Sequence, residues 1–175
     1  MRPHGRLIAT AGTLLLGAAA CWAQATPEYQ AKVILLEKLT RFVDWPGQPQ
    51  GERPFVLGVL GRTPFGDDLE SHFASRPLKN RTVFVRPFRT MAAVGECDLL
   101  FICASEKPRL AAILARIRGQ AILTVADTDG FAQAGVMVAL VRRDAKVTFE
   151  VNLGPVRESG FRISPGFLQL AKLIP

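Results

Sequence analysis

The sequence has 175 residues, 49% of them hydrophobic, with 22 basic and 15 acidic side chains and a formal charge of +7. That length suits one domain with a core of its own, which excludes a fold dependent on disulfide staples. The basic residues are scattered rather than clustered, which argues against nucleic acid and leaves a mild preference for acidic partners.

The chain opens on Arg2, His4 and Arg6, runs through an apolar stretch from Leu7 to Ala20, and reaches Ala23-Gln24-Ala25. A basic start, an apolar middle and a small-x-small end make a secretory signal. The apolar stretch is shorter than the roughly 20 residues of a spanning helix. Cleavage after Ala25 makes residues 1–25 the signal peptide and 26–175 a single exported domain, and it lowers the charge from +7 to +5 by removing Arg2 and Arg6. Lipidation at Cys21 is the rival outcome, on a poor match to the lipoprotein pattern.

Glu28 to Asp44 carries Tyr29, Val33, Leu36, Leu39, Phe42 and Val43 at helical spacing, and the helix should stop at Asp44-Trp45-Pro46. Pro54 to Leu60 is a nearly continuous apolar run, the pattern of a strand buried on both faces. Gly61 to Pro64 turns the chain, and Phe65 to Ala74 predicts a short helix. Strands follow at Arg81 to Arg86 and Asp98 to Cys103, with a brief helical turn around Met91 between them. Ser105 then reads as the N-cap of a helix with Leu110, Ile113, Leu114 and Ile117 on one face, closed by Gly119. A strand at Gln120 to Ala126 comes next, and a hairpin pairs Val136 to Val141 with Lys146 to Leu153. Ser164-Pro165 begins a C-terminal helix with Phe167, Leu170, Ala171 and Ile174 at helical spacing. Strands alternating with helices predict an α/β fold: a mostly parallel sheet covered by helices on both faces, with an antiparallel hairpin extension.

The chemistry is sparse. After cleavage His72 is the one histidine, and no Cys or His pair has metal-ligand spacing. Asp127-Thr128-Asp129-Gly130 begins like a calcium loop, but Val138 stands where the bidentate Glu belongs. There is no phosphate-binding loop, dinucleotide fingerprint or nucleophile elbow, so neither an enzyme nor a cofactor or metal is expected. Cys97 and Cys103 flank one strand, about 20 Å apart at about 3.3 Å per residue, too far to bond to each other. In open α/β sheets ligands bind beyond the carboxyl ends of the strands. Three loops start there, contributing Gly61, Phe65, Gly66, Ser105, Glu106, Asp127, Gly130 and Phe131 to a candidate site for an anionic or nucleotide-like molecule. Whether they converge depends on strand order.

A series of segments runs along the chain in order: Phe42-Val43-Asp44-Trp45-Pro46, Gly61-x-x-Pro64-Phe65-Gly66, Cys97-Asp98-Leu99-Leu100-Phe101-Ile102 with Ser105-Glu106, and Asp127-x-x-Gly130-Phe131-Ala132. Phe149-Glu150-Val151-Asn152-Leu153, Ser159-Gly160-Phe161-Arg162-Ile163-Ser164 and Leu168-Gln169-Leu170-Ala171 follow. From Tyr29 to Ile174 the chain resembles the YfiR family of exported bacterial proteins. The resemblance implies a periplasmic α/β domain that represses a membrane-bound diguanylate cyclase, or a related sensor kinase, by binding its periplasmic portion and lowering cyclic-di-GMP. It also implies a homodimer and, in at least one member, redox-sensitive disulfides. The chain departs from the pattern in having few cysteines and in Val138-Ala139-Leu140, where a polar or aromatic centre is expected. Phe42 and Trp45 are the candidate partner contacts. The alternative function is a periplasmic small-molecule binding module built on the three loops.

Overall fold

The computed structural model describes residues 27–47, 53–94, 97–144 and 146–175. The proposed signal peptide and Cys21 lie outside the described residues. No helix among the described residues is long and apolar enough to cross a membrane.

Helix α1 (Pro27–Arg41) leads into a two-residue strand β1 (Val43–Asp44). Then come β2 (Phe55–Leu60), α2 (Asp68–Phe73), β3 (Val83–Phe88), β4 (Leu99–Ile102), α3 (Leu110–Ile117) and β5 (Leu123–Ala126). The hairpin is β6 (Val138–Arg143) and β7 (Lys146–Asn152), followed by α4 (Leu153–Glu158), β8 (Arg162–Ile163), α5 (Pro165–Leu168) and β9 (Ala171–Ile174). The main sheet runs β3-β2-β4-β5-β6-β7-β9. Its first five strands are parallel; β7 is antiparallel to β6, and β9 lies parallel to β7.

The chain leaves β2 towards β3 but leaves β4 in the opposite direction, towards β5. Right-handed crossovers then put the connecting helices on opposite faces. On one side Leu57, Val59, Leu99, Phe101, Leu123 and Val125 pack against α1, α2, α4 and α5. On the other, Leu60, Leu100, Ile102 and Ala126 pack against Leu110, Ile113 and Ile117 of α3. Both faces being buried explains why these strands read as continuous apolar runs. Phe88 lies across β2 so closely that a Cβ on Gly58 would sit 2.6 Å from its ring, so that position is kept to glycine.

A small second sheet pairs β1 with β8, setting Val43 opposite Ile163 and Asp44 opposite Arg162. Two of the segments that carry the family resemblance are thereby clamped together, and the Ser164 N–H closes the clamp on the Phe42 carbonyl at 2.9 Å. The structure also corrects three expected helices. The first ends at Arg41 rather than at Asp44, because Val43 and Asp44 pair with β8 instead. The C-terminal helix is one turn long: Ser164 caps it by accepting from the Phe167 N–H at 3.3 Å, but residues Ala171–Ile174 form a strand. The i, i+3, i+4, i+7 spacing is helical, and it is pairing with the outer edge of β7 that overrides it in favour of the strand. Ser105 is not an N-cap either. Residues Ala104–Arg109, with Pro108 among them, form a 3₁₀ segment, and α3 starts only at Leu110. Gly119 does follow α3 with φ +71°, as a left-handed terminator. A helix absent from the sequence reading, α4, starts where Asn152 accepts from the Gly154 N–H at 3.1 Å. The amide of Asn152 also donates to the Ala132 carbonyl at 2.8 Å, tying the hairpin to the preceding loop.

Candidate functional site

The point where the chain departs in opposite directions lies between β2 and β4, and there the loops after these strands meet. Gly61 has φ +98°, and a Cβ on it would fall 2.4 Å from the Ser105 hydroxyl and 2.9 Å from Glu106. The Ser105 Oγ accepts from the Arg62 N–H at 2.9 Å, which is the bond it makes in place of a helix cap. Glu106 is buried, and its carboxylate pairs with Arg109 at 2.8 Å. Gly61, Ser105 and Glu106 are therefore brought together by direct contact between two loops.

The third loop joins through side chains of α1. Asp127, only 5% exposed, accepts from the Lys32 ammonium at 3.0 Å. Lys32 is itself buried, pairs with Glu28 one turn earlier at 2.7 Å, and sits 4.4 Å from the centre of the Tyr29 ring. The Tyr29 phenol is raised above its ordinary pKa, first by burial and then by the Asp127 carboxylate beside it. The same ring meets Phe65 edge-on at 5.3 Å, and Phe65 meets Phe101 edge-on at 4.8 Å. Tyr29 and Lys32 thus occupy the space over the carboxyl ends of the strands that the loops were expected to frame.

The remaining candidates are dispersed. Gly66 and Gly130 are turn residues with φ +54° and +84°. Phe131 is buried in the α3-side core, on the opposite face from Phe65. Among the described residues no group of three or more His, Cys, Asp or Glu could hold a metal ion. What sequence reasoning missed is Lys32, the buried cation that pairs with Asp127. One signal was present: Lys32 stands four residues after Glu28 within an apolar stripe, where a buried ammonium must find a carboxylate.

A family model described as YfiR/HmsC-like, DUF4154, matches residues 29–172. The chain belongs to that family. A solved structure described as the ABC domain in complex with L-Trp from Streptococcus pneumonia is similar with a TM-score of 0.58 at 12% identity, over 84% of this chain and 60% of that one. The chain thus spans about 60% of the length of that structure, and the likeness shows a shared fold.

Several of the segments that carry the YfiR/HmsC-like resemblance serve one buried network at the other end of the sheet. Asp98, 2% exposed, receives Arg81 at 3.0 and 2.8 Å, Arg53 at 2.7 and 3.2 Å, and the Val56 N–H at 2.9 Å. Its carbonyl takes the Trp45 indole N–H at 3.0 Å. Trp45 accordingly points inward, 7% exposed, against Phe55 and Phe161. Phe42 presents the surface instead: it is 43% exposed and stacks on Phe167 at 5.6 Å.

Cys97 and Cys103 are both buried and free on either side of β4. Burial, with Asp98 next to Cys97 and Asp127 near Cys103, pushes each thiol up to about 12. The thiolate is the reactive form. In the folded chain both should resist a thiol reagent at pH 8 for hours, then react at once in urea. Rapid labelling of either without denaturant would contradict this burial.

Proposed function

We propose that this domain works in the bacterial periplasm as a regulator that represses a membrane-bound diguanylate cyclase, or a related membrane sensor kinase, by direct contact with its outer portion. The observation that carries the reading is the YfiR/HmsC-like match over residues 29–172, nearly all of the proposed exported domain. That family is a regulatory one, and the reading is of a binding protein rather than an enzyme. The interior supports it. At the carboxyl ends of the strands Lys32 is already paired with Asp127, and Glu106 with Arg109.

Repression by contact requires the domain to bind one state of the partner more tightly than the other, since equal affinity shifts nothing. Phe42 is the contact proposed on the clamp formed by β1 and β8, with Trp45 behind it holding the clamp to the sheet. Deleting the gene should raise cyclic-di-GMP, and supplying the exported chain should restore the low level. An unchanged level, together with no cyclase or kinase recovered by crosslinking, would sink the proposal.

A further inference from the structure

Among the described residues, one face of α1 is left without a partner. Between α1 and the β6–β7 hairpin runs an open trough of about 890 Å³, with Pro27, Ala31, Ile34 and Leu35 on the helix side and Arg142, Lys146 and Val147 on the hairpin side. Ile34 is 44% exposed although it lies midway along α1. From Pro27 to Leu35 the helical wall is eight steps long, about 12 Å at 1.5 Å per residue, the length of two helical turns.

The charge around the trough is net basic, although Arg142 is itself paired with Glu28 at 3.2 Å. Arg142 (62% exposed) and Lys146 line the hairpin wall, and Lys38 is exposed one turn beyond Ile34 on the same helix. The acidic group at the trough, Glu28, is 28% exposed and already bonded to both Lys32 and Arg142. An apolar floor two turns long with a basic rim matches an amphipathic helix laid into a groove, with apolar residues at i, i+3 or i+4, and i+7 and acidic residues flanking them.

We propose that this trough is the docking groove for an acidic amphipathic helix of the membrane partner. The inference rests on the regulatory reading above and names the surface and the partner chemistry it uses.

Two synthetic 14-residue helical peptides test it, with the same leucine spacing and either glutamate or lysine on the polar face. Each is titrated against the processed chain by fluorescence anisotropy. The glutamate peptide should bind at least tenfold tighter than the lysine peptide, and 0.5 M salt should narrow the gap. Ile34→Glu should weaken the glutamate peptide at least tenfold and Lys146→Glu several-fold. Phe84→Glu, which alters an exposed phenyl on the far edge strand β3, should leave binding unchanged. Equal binding of both peptides, or unchanged binding by Ile34→Glu and Lys146→Glu, overturns the groove. Cellular assays separate the two levels. If the wild-type chain and Ile34→Glu restore low cyclic-di-GMP equally in a deletion strain, the regulatory reading stands and the groove assignment falls. If the wild-type chain restores nothing, the regulatory reading falls, and peptide binding alone decides whether the groove takes acidic helices.

Discussion

Replacing Asp98 by alanine should lower the free energy of unfolding by about 3–5 kcal/mol, because it strips a buried arginine of its counter-charge. Arg81 is only 6% exposed on its side chain, whereas Arg53 is 48% exposed and can turn outward. Arg53→Ala should therefore cost less than about 1 kcal/mol, in the range of a surface pair. The loss at Asp98 reaches further than its own bonds. Its carboxylate fixes the Val56 N–H of β2, its main chain bonds Val56 and Leu123, and its carbonyl holds Trp45. Urea titration measures the difference as a shift in midpoint with the slope unchanged. A loss below about 1 kcal/mol for Asp98→Ala would show that the network holds nothing together.

The second large effect is at Lys32. Lys32→Met should cost about 3 kcal/mol, since the methionine fills the volume but leaves the Asp127 carboxylate buried without its cation. The double variant Lys32→Met/Asp127→Leu should recover most of that loss, because removing both charges removes the desolvation cost along with the attraction. Equal losses for the single and double variants would contradict the pairing. The acid side of the stability curve gives a separate reading. The Lys32 hydrogen bond, more than any other contact, holds the Glu28 carboxyl below its ordinary value of 4.5, and Arg142 adds to this. A carboxyl with a depressed folded value contributes stability above about pH 4.5 and loses it as pH falls through the folded value. In Lys32→Met, part of that acid-side loss should disappear from the pH profile of stability.

Local pattern was enough for the parallel half of the molecule. The runs at Phe55–Leu60, Leu99–Ile102 and Leu123–Ala126 are apolar on both faces because helices cover both, and that leaves a strand pattern visible residue by residue. Gly119 likewise marked the end of α3 because few other residues take its backbone angle. The C-terminal segment was read wrongly because its structure answers to something remote in sequence, the open edge of β7. Ser105 misled for a similar reason: its hydroxyl serves the Arg62 N–H, 43 positions away.

For the candidate site the division is sharper. The sequence by itself determined which loops begin at the carboxyl ends of the strands and which polar residues they carry, because each loop directly follows its own strand in the local strand–helix–strand pattern; the strand order that makes two of them meet did not show there. It also determined the family, through segments several of which meet in one clamp and one buried network. Only the tertiary structure decided what fills the space between those loops. A lysine and a tyrosine arrive from α1, 95 positions from Asp127 in the case of Lys32, because burying an ammonium demands a buried carboxylate wherever the fold can supply one. Nor could the sequence show that Trp45 turns inward while Ile34 stays outside. Burial is a property of what packs against a residue, and for both of these the neighbours come from distant parts of the chain.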